Sequence, residues 1–149
     1  MSHFLLRQIT LLLILSFFSG APLAFASLQE DLDKGYGLVD QWRIQEAETF
    51  VNGLVETYPK SGDVFFLKAR VEFFKGDYEQ AWALLKEVED TEAVVKSFKG
   101  LVSRTRDATS GFVTRETKHF KIRFPNGPDE ILINYAEQVL EKSYQVLGK

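Results

Sequence analysis

The sequence predicts a mainly helical protein made of paired helices with a capping helix, followed by short β structure and an amphipathic helix. Three observations predict this fold: the chain matches itself at an offset of 34 residues, apolar residues recur at helical spacing through most of its length, and alternation replaces that spacing after Gly111. With 45% hydrophobic and 26% charged residues, the composition permits a packed core. The 149 residues fit one domain, or one small domain and part of a second.

The first residues have the pattern of an export signal. Arg7 precedes an apolar run from Ile9 to Phe18, and Ala24 and Ala26 are the small residues of a cleavage site. A membrane-spanning helix needs about 20 apolar residues, roughly twice the length of this run. We therefore expect residues 1–26 to be a signal peptide, and the mature protein to be periplasmic or secreted.

The self-match identifies two copies of a helical hairpin. Its agreeing positions are those where two helices must touch, because small residues permit close approach and larger ones fill the space around them. The pairs are Gly35 with Ala69, Ile44 with Tyr78, Ala47 with Ala81, Val51 with Leu85, and Leu54 with Val88.

These residues carry a resemblance to the tetratricopeptide repeat. The second copy, Phe65–Ala81, contains the Gly-Asp-Tyr turn at 76–78 followed three residues later by Ala81; in the first copy Trp42 stands where the turn glycine would sit. The resemblance implies a solenoid of helical hairpins that binds other proteins. A tetratricopeptide-like domain with its capping helix is predicted over residues 27–108.

Start and stop signals define the individual helices. Ser61 and Asp63 offer N-cap oxygens, Pro59 ends one helix, and Gly76 permits a tight turn. The predicted helices are Gln29–Gln41, Ile44–Tyr58, Asp63–Phe74 and Tyr78–Val88, with a capping helix near Thr91–Thr105.

Residues 109–149 follow a different pattern. Phe120, Ile122 and Phe124 alternate with two basic residues, which predicts a half-buried strand, and Phe112 with Val113 is a candidate for an earlier one. A helix is expected after Pro128. Its apolar stripe is predicted to comprise Leu132, Ala136, Val139, Ser143 and Leu147, flanked by Tyr135, Leu140 and Tyr144. Such a strand and helix leave unpaired backbone groups and apolar surface, so this part looks unfinished.

The stretch Glu116–Pro125, followed by Asp129–Gly148, resembles the opening strand and helix of peptidase MA-like metallohydrolases of the gluzincin type. The resemblance implies a longer parent protein with a zinc site, which needs two histidines four residues apart on one helix. This chain has only His3 and His119, and it has no cysteine. We therefore predict no catalytic residue, metal ligand or cofactor in the chain itself, and regard His119 as an ordinary strand-edge residue.

Two function classes remain: an exported protein-interaction module, and the N-terminal portion of a periplasmic zinc metallopeptidase-like enzyme. For the first class, the expected partner is a protein or peptide, or a missing C-terminal domain of the same protein. Aromatic and apolar residues with an arginine suit a binding groove, although they suit a solenoid core equally. The candidate protein-binding residues are Leu32, Tyr36, Val39, Phe66, Arg70 and Phe73.

Charge is unevenly distributed along the chain. Residues 27–95 carry 7 basic and 15 acidic side chains, whereas 96–123 carry 8 and 2. The basic segment could approach anionic lipid, which leaves membrane contact open, but export argues against nucleic acid as a partner. The favoured interpretation is a solvated basic face that complements the acidic repeats.

Overall fold

A computed structural model describes residues 21–148, with the side chains of 27–148 other than Asp129; most of the expected signal peptide lies outside this range. Within it, six α-helices and one two-stranded β-hairpin form. The helices are α1 Ala21–Asp40, α2 Ile44–Thr57, α3 Gly62–Lys75, α4 Tyr78–Leu85, α5 Ala93–Thr109 and α6 Ile131–Leu147; the strands are β1 Phe112–Glu116 and β2 Lys121–Pro125, and a 3-10 turn spans Pro128–Glu130.

The chain divides into two compact units, one up to Lys99 and one over Gly100–Lys149, and the division falls inside helix α5. The mainly helical prediction is confirmed. Three boundaries differ clearly from expectation: α1 begins eight residues before Gln29, α4 ends at Leu85 rather than Val88, and α5 ends at Thr109 rather than near Thr105. Pro22 does not prevent the early start of α1, because it lies in the first turn, where a missing N–H removes no helical hydrogen bond.

Local capping explains how α3 and α4 begin. The Ser61 hydroxyl accepts a hydrogen bond from the Val64 N–H at 3.4 Å, and the Asp77 carboxylate accepts one from the Gln80 N–H at 3.1 Å. Asp63, also predicted as a cap, lies inside the first turn of α3 instead.

The two interhelical turns share a backbone conformation at equivalent positions. Gly76 follows α3 with φ 81°, and Trp42, 34 residues earlier, follows α1 with φ 59°. Both values lie in the left-handed region, which costs glycine nothing but is unfavourable for any residue with a Cβ atom. The repeat geometry is therefore kept in the first copy at the expense of backbone strain.

The core of the first unit lies among α1, α2 and α3. Its buried members are Leu32, Val39, Ala47, Val51, Leu54, Val64, Leu67 and Val71. Gly35 permits the close approach of α1 to α3, since a Cβ built on it would stand 2.4 Å from Leu67 Cδ2. The predicted role of this small residue is thus confirmed.

The second hairpin repeats the arrangement of the first. Four of the five counterparts of the first copy's contact residues are buried, namely Ala69, Ala81, Leu85 and Val88, and the fifth, Tyr78, is half-buried. Helix α5 brings Phe98 edge-on to Phe66 and Phe73, each with ring centroids 5.5 Å apart. The fifth helix thus covers the hairpin, as a capping helix should.

In the second unit, β1 and β2 pair antiparallel, with Val113 opposite Phe124 and Arg115 opposite Ile122. The predicted strand is therefore not alone, and its alternation is confirmed by burial of Phe124 between exposed Arg123 and Pro125.

The predicted helix after Pro128 forms as α6, and most of its predicted apolar stripe lies at the surface. Leu132, Val139 and Leu147 are exposed, because the helix turns a different face, marked by buried Ile133, inward.

Candidate functional site

A groove of about 650 Å³ opens in the first unit. Its base is aromatic: Tyr36 enters from α1 and Phe66 from α3, with Arg70 one helical turn further along α3. Phe66 is nearly buried, and its ring packs against Phe98. Three of the six predicted binding residues thus line one cavity.

Arg70 is held in place from two sides. Its guanidinium lies 5.2 Å from the centroid of the Tyr36 ring and 3.7 Å from the Asp40 carboxylate. Burial raises the pKa of the Tyr36 hydroxyl to about 12, against an opposing effect of the Arg70 charge. Tyr36 therefore remains a neutral hydrogen-bonding group over the whole physiological range.

The opposite wall is formed by the segment between α4 and α5 and the start of α5. Its lining residues are Glu87, Val88, Glu89, Thr91, Glu92, Val94 and Val95, and the groove is also lined by Lys60, Gly62 and Asp63. The sequence signals this wall by closely spaced acidic residues after α4, which the repeat pattern alone does not identify as part of a groove.

A single lysine ties the acidic wall to α5. The Lys99 ammonium donates to the Val88 carbonyl oxygen at 2.6 Å and pairs with the Asp90 carboxylate at 2.5 Å. Val88 lies three residues beyond the end of α4, so this hydrogen bond satisfies a backbone carbonyl of the connecting segment. The backbone of the wall is thereby fixed without using the lining carboxylates.

The remaining predicted binding residues lie elsewhere. Leu32 and Val39 belong to the hydrophobic core, at 5% and 3% exposure, and neither lines the groove. Phe73 packs in an aromatic cluster with Phe74, Tyr78 and Phe98 and does not line the groove. Leu32 and Val39 point inward because helical spacing brings one face of α1 against its neighbours.

His119 occupies the turn before β2 rather than a strand edge. Its ring Nδ1 lies 2.6 Å from one oxygen of Glu141, and the other oxygen accepts from the Thr117 hydroxyl at 2.6 Å and the His119 N–H at 2.8 Å. These hydrogen bonds, first that of Thr117, lower the pKa of Glu141 to about 2. Tyr144 stacks on the imidazole at 3.8 Å between centroids. The cluster joins the hairpin to α6.

Within residues 21–148, no group of three or more potential metal ligands comes together, and no helix is both long and apolar enough to cross a bilayer. The 17 residues of α5 carry much of the basic segment, whose Lys99 and Arg106 are engaged in ion pairs. Contact of the basic segment with an anionic partner therefore stays a prediction.

Residues 2–112 match the family described as Iml2/Tetratricopeptide repeat protein 39, well over half of the 149 residues. The chain belongs to this family. The match spans all five helices of the solenoid, so this family member is a tetratricopeptide-like helical repeat protein and a protein-interaction module. No curated protein and no solved structure matches the chain.

The family match begins within the segment predicted as a signal peptide and ends at the first residue of β1. It therefore does not cover the residues that carry the peptidase MA-like resemblance, and no other comparison supports that resemblance.

Proposed function

We propose that this chain is an exported interaction module that binds a segment of another protein in the groove of its first unit. The observation that carries the proposal is the meeting of Tyr36, Phe66 and Arg70 in one cavity of about 650 Å³. Tyrosine and arginine are over-represented among residues that dominate protein interfaces, and this volume lies in the range of built ligand sites.

Preorganisation supports the same proposal. The contacts of Arg70 with Asp40 and Tyr36 restrict the guanidinium before any partner arrives. Because a restrained side chain loses less rotamer entropy on binding, its contacts contribute more to affinity. The fully packed Phe66 supplies a rigid apolar surface beside it.

Selection of peptides from a random displayed library tests the proposal. Peptides retained by the wild-type protein should bind the Arg70→Ala variant at least about tenfold more weakly, since a hot-spot residue is worth about 1.4 kcal/mol or more. Arg43→Ala is the matched control, because Arg43 is an ion-paired arginine outside the groove. Circular dichroism should show unchanged helix content in both variants.

Equal binding to the wild type and the Arg70→Ala variant would refute the groove as the binding site. Phe66→Ala is a poor first choice for this test, because Phe66 is only 8% exposed and its truncation would also remove core packing.

Export is the second part of the proposal. It rests on the apolar run Ile9–Phe18 and the small residues Ala24 and Ala26. Cleavage after Ala26 would remove the first six residues of α1 and leave Leu32 and the rest of its core face in place. N-terminal sequencing of protein recovered from the periplasm or medium should begin at Ser27, whereas an intact N terminus would contradict export by this route.

A second candidate function is that the chain is the N-terminal portion of a zinc metallopeptidase-like enzyme. One observation favours it: α6 exposes Leu132, Tyr135 and Val139 on one face, beside a hairpin of only two strands among the described residues. Such a surface is normally covered by further structure. The coding sequence downstream of Lys149 decides the matter, and the absence of His-Glu-x-x-His in every frame would refute it.

A further inference from the structure

The groove has an unbalanced electrostatic lining. Its carboxylates number five, on Asp40, Asp63, Glu87, Glu89 and Glu92, against two cationic side chains. One of those cations, the Arg70 guanidinium on α3, is already paired with the Asp40 carboxylate on α1. The groove therefore presents net negative charge to whatever enters it.

Most of this charge is not used to hold the fold together. Among the described residues, no hydrogen bond or ion pair involves the side-chain carboxylates of Asp63, Glu87, Glu89 or Glu92. The wall that carries three of them is fixed through the ammonium of Lys99 instead. Carboxylates that are left unpaired around a cavity are available to a ligand.

Apolar surface lies directly beside these charges. Val88 and Val95 are buried in the wall, Val94 is 57% exposed at the first turn of α5, and Phe66 forms the base. A ligand that complements the whole cavity must therefore carry both apolar and positively charged groups.

We propose that the groove binds a cationic segment of a partner protein, in which lysine or arginine side chains alternate with apolar ones. The inference rests on the proposed function and names the chemistry of its partner. Apolar side chains of the segment occupy the base at Phe66 and Val94, and its cations meet Glu89 and Glu92 at the rim.

The electrostatics inside the cavity agree with this assignment. The Tyr36 hydroxyl experiences the negative charges of both Asp63 and Glu92, which reinforce the effect of burial on its pKa. The carboxylates thus act on the interior of the groove as well as on its edge. Because exposed charges are screened by salt, the preference for cations must weaken as ionic strength rises.

Two matched synthetic peptides test the inference by fluorescence anisotropy. One is a short glycine-spaced peptide of leucine and lysine; the other has glutamate in place of every lysine. The lysine peptide should bind the wild-type protein at least about tenfold more tightly at low salt, and the difference should shrink at physiological salt.

Variants then assign the preference to the groove. Glu89→Gln combined with Glu92→Gln should weaken binding of the lysine peptide by about threefold to tenfold, as expected for two partly exposed charge pairs. The control combines Glu30→Gln with Glu56→Gln, which removes the same charge from exposed positions outside the groove. Val94→Lys should weaken the lysine peptide and strengthen the glutamate peptide.

Equal loss in the Glu89/Glu92 variant and the Glu30/Glu56 control would overturn the inference, because only the overall charge would then matter. Library peptides that depend on Arg70 but carry no positive charge would overturn it while leaving the proposed function intact. If no peptide binding depends on the groove, both proposals fail. Self-association that the lysine peptide cannot reverse would also overturn the inference, because a second copy of the chain would then occupy the groove.

Discussion

Trp42 offers the sharpest test of how the repeat geometry is encoded. Its φ of 59° matches the φ of 81° at Gly76, yet tryptophan carries the Cβ atom that this conformation disfavours. The left-handed region costs a non-glycine residue about 1–2 kcal/mol. Glycine avoids this cost, but the greater conformational entropy of its unfolded state destabilises the fold by roughly 0.5–1 kcal/mol. We expect Trp42→Gly to be about 1 kcal/mol more stable than Trp42→Ala.

The comparison between the two variants isolates the backbone. Trp42 is 72% exposed, and its ring meets Phe74 edge-on at 5.3 Å, a contact that glycine and alanine remove equally. Urea denaturation followed by circular dichroism measures the difference, which corresponds to about 4–8 °C in Tm for a unit of this size.

Gly76→Ala provides the mirror experiment in the second turn. It should cost about 1 kcal/mol relative to the wild type, because it introduces the strain that Trp42 already bears in the first turn. If Trp42→Ala is as stable as Trp42→Gly while Gly76→Ala is destabilised, the first turn relaxes without strain and the reasoning fails.

Three further substitutions probe packing and charge. Gly35→Ala should destabilise the first unit by about 1–2 kcal/mol despite the better helix propensity of alanine, since its Cβ meets Leu67; addition of Leu67→Val should recover part of the loss, and purely additive effects in denaturation would contradict the contact. Lys75→Met should cost about 1 kcal/mol by leaving the buried Glu72 without its ammonium partner at 2.9 Å, and Glu72→Gln in the same chain should restore stability in urea titrations. The lowered pKa of Glu141 means that its ionised form stabilises the fold above about pH 4.5 and that this contribution is lost as pH falls towards about 2; the Glu141→Gln variant should lack this part of the acid profile in thermal melts, and parallel profiles would refute the assignment.

The solenoid could be predicted from sequence because its determinants are local and repeated. The 34-residue register follows from matched residue types in the two copies, and the Ser61 cap and the left-handed Gly76 each follow from residue type at one position. The start of α1 could not be predicted in the same way, because Pro22 reads as a breaker within the pattern of an export signal and yet is tolerated in a first turn.

The groove could be predicted only in part, because it depends on which helix face meets which neighbour. Leu32, Tyr36 and Val39 share one face of α1, and sequence spacing alone gives no sign that only the middle one reaches the cavity. The same difficulty affected α6, whose apolar residues are spread around the helix, so that burial of Ile133 leaves Leu132 outside.

In the acidic wall, the side chain that anchors the backbone, Lys99, is different from the side chains that would contact a ligand. The backbone of the wall is anchored by one ammonium, and the side chains that meet a ligand have no part in that anchor. Glu89 and Glu92 can therefore change identity during evolution, or in a designed variant, at little cost to the fold. Related chains could keep one groove shape and acquire partners of different charge by substitutions confined to this short connection.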